Sequence, residues 1–197
     1  MDMVNTYFRL SERREIIAEN GIRLVSPNYV STNIETLSLP AEVSSAFHMD
    51  WDTVVFDVGG DTAGAKTLGR FYGDFQALDE PAEVLNVINV RRPMSGTADK
   101  AIALMEQIEE YSRLKVTGLI NNTNLAHLTS VEELRDGYEV LREVSERTGI
   151  PVAYTTGTPE LLAPFLAEER DSRCIGEAVP IEILTHRDWD TFVRRGV

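Results

Sequence analysis

The chain has few of the residues that stabilise disulfide-rich or zinc-dependent folds. Cys174 is the single cysteine, so an intrachain disulfide is excluded. The three histidines, His48, His127 and His186, are far apart in the sequence. Structural zinc sites use several Cys or His ligands at short spacings. A structural metal is therefore not expected.

Basic residues and long apolar runs are also scarce. Lys and Arg number 19 against 32 Asp and Glu, which gives a formal net charge of -13. Nucleic-acid binding depends on clustered cations that displace counterions from phosphates, so DNA and RNA are not expected as partners. No apolar run approaches the roughly 20 residues needed to span a bilayer. The first ten residues, MDMVNTYFRL, lack the basic flank and apolar centre of a signal peptide. We expect a cytoplasmic protein without membrane contact.

The sequence alternates between β-forming runs and amphipathic segments. Strands are predicted at 22–25, 53–58, 83–90, 116–121, 152–155 and 181–184. Helices are predicted at 11–20, 41–47, 97–112, 130–148, 159–168 and 188–195, and Thr129 with Glu132 predicts a capping box for the fifth of them. Runs such as VLNVINV are apolar for much of their length, which is typical of parallel strands covered on both faces. The pattern predicts one α/β domain over 1–197, doubly wound around a mostly parallel sheet.

The segment TVVFDVGGD at 53–61 is the first candidate for chemistry. Asp57 would end an apolar strand, and ligands of open parallel sheets bind at the carboxyl ends of the strands. An aspartate there can hold Mg²⁺ through a water, while Gly59 and Gly60 let the backbone approach a γ-phosphate. The alternative is an ordinary turn after a buried strand, because Gly and Asp are common turn residues.

The segment 60–67, GDTAGAKT, is one residue away from a phosphate-binding G-x-x-x-x-G-K-[ST] loop. Ala65 stands where the last glycine belongs, and its Cβ would obstruct tight wrapping of the backbone around phosphate. Lys66 is therefore interpreted as a solvated helix residue.

Polar residues also follow two later strands. Asn121 and Asn122 could present a donor and an acceptor to the edge of a purine, although asparagine is equally common in turns and caps. Arg91 and Arg92 could contact phosphate, but surface ion pairs are favoured in so acidic a chain. The chain has no N-K-x-D guanine signature after the strand at 116–121, which favours adenine.

Taken in order, the segments MDMVNTYFR, VVFDVGGD, NVRRP, KVTGLINNTNL and GIPVAYTTGTPEL resemble ParA/MinD-type ATPases, the deviant-Walker (SIMIBI) branch of the P-loop proteins. The resemblance covers nearly the whole chain, and it is strongest to a group of bacterial and archaeal ATP-binding proteins. It implies ATP and Mg²⁺ as cofactors, and a homodimer that acts on an unidentified protein partner. The site residues that it implies are Asp2 in the first switch, Asp57 in Walker B, Gly59 and Gly60 in the second switch, Asn121 or Asn122 at the adenine, and Thr156 in the segment around the base.

No residue matches the lysine-bearing phosphate loop of that class. We therefore expect a P-loop NTPase-like domain that lacks its first strand and its Walker A loop, and an ATP-binding switch or ATPase whose hydrolysis is impaired. The alternative is a non-hydrolysing regulatory or scaffold protein that retains the α/β frame. An ATP-dependent ligase of the same fold branch would need an acid-substrate pocket, and no residues identify one.

Overall fold

The computed structural model describes residues 14–25 and 41–183, which form two compact units. The first unit contains the described residues up to Ala82 together with Gln107–Leu114. The second contains Glu83–Glu106 and the described residues from Lys115 onward. The single domain over 1–197 stays a prediction.

The first unit is helical. Its helices are α1 (Arg14–Glu19), α2 (Ala41–Ser45), α3 (Thr62–Leu68) and α4 (Tyr72–Gln76), and the 3₁₀ turn Gly69–Phe71 joins the last two. Gly21 has φ +72°, the left-handed conformation predicted after the first helix. The ring of Phe47 packs 4.9 to 5.7 Å from the rings of Phe56, Phe71 and Phe75, measured between centroids. This aromatic cluster ties residues before and after α3 together.

The strand predicted at 53–58 is wrong. These residues belong to no strand, and the side chain of Val55 is 83% exposed. The prediction at 22–25 is wrong for the same reason, because those residues are also outside any strand. A run of β-forming residues gives a propensity for extended structure, but a strand exists only where a neighbouring strand pairs with it.

The second unit contains a parallel sheet in the order β1-β2-β3-β4. Its elements are β1 (Leu85–Ile88), α5 (Ala98–Ser112), β2 (Gly118–Asn121), α6 (Val131–Thr148), β3 (Val152–Gly157), α7 (Pro159–Leu166) and β4 (Glu177–Pro180), and the last residues of α5 belong to the first unit. The α/β class is confirmed.

The last strand lies four residues earlier than the predicted 181–184. Residues 181–183 are outside any strand, although the Ile181 N–H still donates to the Gly157 carbonyl at 2.9 Å. Because β3 ends at Gly157, this is where pairing stops. Pairing with β3, and not the apolar run itself, therefore sets the position of β4. The helix predicted at 188–195 lies outside the described residues.

The helices of the second unit cover one face of its sheet. Leu119 of β2 and Val152 of β3 are buried against Ala101 and Met105 of α5 and Leu141 of α6. Parallel strands in sequential order, joined by crossovers of one hand, place all their helices on the same side. Alternation along β1 and β2 puts a second set of side chains on the opposite face, namely Leu85, Val87 and Ile120. The doubly wound arrangement stays a prediction.

Helix α6 begins with a capping box shifted by one residue from the predicted one. The Ser130 hydroxyl accepts from the Glu132 N–H at 3.3 Å, and the Glu133 carboxylate accepts from the Ser130 N–H at 2.7 Å. Thr129 instead closes the preceding turn, where its hydroxyl donates to the Ala126 carbonyl at 2.5 Å. The pair Thr129 and Glu132 was therefore the wrong box.

Candidate functional site

In the first unit, Asp57 and Gly60 are exposed and Gly59 is half-buried. A Cβ on Gly64 would lie 2.3 Å from the Gly59 carbonyl oxygen, so Gly64 is what allows the first turn of α3 to pack on this backbone. No heavy atom lies within 4 Å of a Cβ added to Gly60. The fold therefore needs glycine at 64 and not at 60.

Mg²⁺ commonly takes one or two carboxylates and completes its octahedron with water and substrate phosphates. Within 14–25 and 41–183, no group of three or more His, Cys, Asp or Glu side chains could hold a metal ion. The exposed Asp57 carboxylate could be the single protein ligand of a Mg²⁺ ion bound in this way. An ion at Asp57 would depend on nucleotide oxygens and water for its other ligands.

The near-miss phosphate loop at 60–67 forms a capped helix instead. The Asp61 carboxylate accepts from the Gly64 N–H at 2.7 Å and caps α3. Lys66 is exposed on that helix, with its Nζ 4.4 Å from the centroid of the Tyr111 ring. Its interpretation as a solvated helix residue is confirmed.

In the second unit, the carboxyl ends of β2 and β3 bring Asn121, Asn122 and Thr156 together. Asn121 is only 1% exposed, and both ends of its carboxamide are used inside the protein. Its Nδ2 donates to the Leu134 carbonyl at 3.3 Å, and its Oδ1 accepts from the Thr123 N–H at 3.2 Å. Asn121 therefore joins β2 to α6 and is too deeply buried to contact a ligand.

Asn122, the next residue, is half-buried. It lies with Asn124 and Thr156 at the carboxyl ends of β2 and β3, a polar group that we call the rim. Its backbone N–H donates to the Ile88 carbonyl at 2.9 Å, which fixes the chain at the end of β2. Its Oδ1 accepts from the Thr156 hydroxyl at 2.8 Å and from Asn124 Nδ2 at 3.4 Å. Its Nδ2 has no hydrogen-bond acceptor among the residues that the structure describes. Of the two candidate asparagines, Asn122 is the one that can contact a ligand.

Sequence reasoning missed the residues that support this rim. Asn89 Nδ2 donates to the Asn124 carbonyl at 3.0 Å, and the Ser95 hydroxyl donates to the Asn89 carbonyl at 2.7 Å. The first of these bonds connects the loops after β1 and β2, and the second lies within the loop after β1. The only sequence signal was a polar Asn89 inside the apolar run at 83–90.

The arginines after β1 are on the surface. Arg91 pairs with Asp136 at 2.5 Å and with Glu133 at 3.4 Å, the surface ion pairing favoured from the sequence. Arg92 is exposed. Thr155 is buried and its hydroxyl donates to the Ile175 carbonyl at 2.7 Å, so Thr156 is the threonine of β3 that faces the rim.

The candidate residues therefore fall into separate groups. Asp57, Gly59 and Gly60 belong to the first unit, whereas Asn121, Asn122 and Thr156 belong to the second. Asp2 lies outside the described residues. Within the described part of the chain, no helix is long and apolar enough to cross a membrane.

Comparisons with protein-family models, with curated proteins and with solved structures find no match to this chain. The resemblance to ParA/MinD-type ATPases, with the cofactors and partners that it implies, stays a prediction.

Proposed function

We propose that the chain is a nucleotide-binding protein of the ParA/MinD-like class with a doubly wound, P-loop NTPase-like fold. The observation that carries the proposal is the unused amide donor of Asn122 at the carboxyl ends of two adjacent parallel strands. Ligands of open α/β sheets bind at that edge, and an amide there can hydrogen-bond a purine. A homodimer, a protein partner and a cytoplasmic location belong to the same proposal.

The magnesium part of the proposal rests on Asp57. Its carboxylate is exposed next to Gly60, a glycine that the fold does not require. We propose that Asp57 holds Mg²⁺ through a water when nucleotide phosphates supply the remaining oxygens.

Hydrolysis by this polypeptide alone is not part of the proposal. The sequence contains no G-x-x-x-x-G-K-[ST] loop, and residues 53–58 do not hold Asp57 at the tip of a strand. Both features stabilise the transferred phosphoryl group in P-loop enzymes. We propose a nucleotide-dependent switch that binds and does not turn over.

The test is a titration of the protein with a fluorescent ATP analogue, with and without Mg²⁺. Asn122→Asp keeps the oxygen that accepts from Thr156 and replaces the donor nitrogen, so we expect its affinity to fall about tenfold or more. Asp57→Ala should abolish the effect of Mg²⁺ on affinity. The control is Asp52→Ala, another exposed aspartate of the same segment, which should bind like the wild type.

A second candidate function is a non-hydrolysing regulatory or scaffold protein. The exposed apolar residues Val54 and Val55 favour it, because an aspartate that follows such an unpaired segment lacks the rigid support of a paired strand. Failure of folded protein to bind the ATP analogue, with its circular dichroism intact, would contradict the first proposal and favour this one.

A further inference from the structure

The backbone fixes the orientation of the carboxamides at the rim. The Ala126 N–H donates to Asn124 Oδ1 at 3.2 Å, so the oxygen of Asn124 must face Ala126. Its Nδ2 then points the other way and donates to the Asn122 carbonyl at 2.8 Å. The amide of Asn124 therefore presents only donors to Asn122.

This orientation determines which end of the Asn122 carboxamide is available. The Asn122 atom that faces Asn124 and Thr156 has to be an acceptor, which is Oδ1. A carboxamide oxygen has two lone pairs, and these two donors occupy both. The two N–H groups of Asn122 Nδ2 face no acceptor in the described part of the chain.

Thr156 is the residue that keeps Asn122 Oδ1 occupied as a hydrogen-bond acceptor inside the protein. Its hydroxyl is 2.8 Å from Asn122 Oδ1 and 3.3 Å from the Asn121 carbonyl oxygen. Both of these neighbours are acceptors, so the single hydroxyl proton goes to one of them, and the shorter distance favours Asn122. Thr156 thus acts through Asn122 as a positioning residue.

We infer that Asn122 recognises a purine nucleotide as a donor only, and that Thr156 sets this polarity. An asparagine with both ends free selects adenine, because it donates to N7 and accepts from the N6 amino group. A donor alone bonds N7, an acceptor that adenine and guanine share. The site therefore accepts adenine and guanine nucleotides alike, in contrast to the adenine preference expected from the sequence.

This inference rests on the proposed nucleotide-binding function, and its test uses ligands that differ only in the base. ATP, GTP and 7-deaza-ATP compete against a fluorescent nucleotide on the wild-type protein. We expect ATP and GTP to bind within about threefold of each other and 7-deaza-ATP to bind about tenfold more weakly, the effect of one lost hydrogen bond.

The variant Thr156→Val keeps the shape of the side chain and removes the donated proton. Asn122 Oδ1 can then accept from the adenine N6 amino group, so the ratio of GTP to ATP dissociation constants should rise about fivefold. Thr156→Ser retains the hydroxyl and should keep the wild-type ratio.

The outcomes distinguish failure of donor-only recognition from failure of nucleotide binding. Binding of ATP with a strong preference over GTP, and equal binding of 7-deaza-ATP, would overturn the donor-only reading and leave nucleotide binding standing. If folded protein binds none of the three nucleotides, the proposed function and this inference both fail.

Discussion

Gly137 shows how a single missing side chain positions the polar rim. It lies in the middle of α6, where a Cβ would be 2.3 Å from Asn121 Oδ1 and 2.4 Å from Thr123 Oγ1. Glycine weakens a helix interior, so its presence there is compensated by close approach of the helix to β2. The rim residues keep their hydrogen bonds because α6 can pack this closely.

We predict that Gly137→Ala destabilises the protein even though alanine favours helix. Overpacking costs about 1–3 kcal/mol and the gain in helix propensity is about 1 kcal/mol, so we expect a net loss of up to about 2 kcal/mol. Urea denaturation followed by circular dichroism measures it. Ser145→Ala in the same helix adds no atom and is the control; equal stability of the two variants would contradict the packing argument.

Asn121 and Asn122 show that a shift of one position along the chain decides whether an asparagine is buried or can contact a ligand. Asn121, the last residue of β2, is turned towards α6, whereas Asn122, the residue after the strand, is turned towards Thr156 of β3. From the sequence the two are equivalent, since both follow the same apolar run. Which of them meets solvent depends on which face α6 covers.

At the scale of elements, a capping box fixes the start of α6, and the sequence predicted this box one residue too early. The Ser130 hydroxyl and backbone N–H both donate to the Glu133 carboxylate, and they lower the pKa of Glu133 from its ordinary 4.5. The folded state therefore prefers the ionised carboxylate. Its stabilising contribution is present above pH 4.5 and is lost as the pH falls through the lower folded-state pKa.

We predict that Glu133→Gln reduces the dependence of stability on acid. The wild-type free energy of unfolding should fall as the pH drops below 4.5, and the variant should lose less over the same interval. Thermal unfolding between neutral and acidic pH measures the difference. Glu132→Gln is the control, because the Glu132 side chain pairs with Arg135 and not with the cap. A larger effect at Glu132 would favour the box predicted from the sequence.

The strands show that a β-forming segment alone does not predict whether a strand forms. Periodicity correctly predicted β1, β2 and β3. Each of these apolar segments pairs with a parallel neighbour in the folded protein. The run at 53–58 has equal β propensity but is outside any strand. Strand formation is a pairwise property, so a single segment cannot predict it.

At the scale of the whole molecule, the net charge of -13 governs which partners can approach. A net negative charge repels the phosphate backbone, so the electrostatic attraction that drives non-specific binding to nucleic acid is not expected. The arginines of α6 reinforce this, because Arg135, Arg142 and Arg147 are all engaged with carboxylates.

We predict that the protein does not bind nucleic acid at about 0.15 M salt. Fluorescence anisotropy with a labelled DNA duplex and a labelled single-stranded RNA should show no saturable change. Lowering the salt to about 0.05 M should not produce binding, since weaker screening strengthens the repulsion between a net charge of -13 and the phosphates. Saturable binding that weakens as salt increases would contradict the prediction.

The sequence by itself determined the α/β class, the helices α5, α6 and α7 and the net negative charge, because propensity, periodicity and charge are local or additive. Only the tertiary structure decided that 53–58 stays outside the sheet and that Asn122, not Asn121, faces the rim. It also decided that Thr156 occupies the oxygen of Asn122, a hydrogen bond between residues 34 positions apart. Such a bond depends on how β2 and β3 are placed side by side, and no local pattern in the chain encodes that placement.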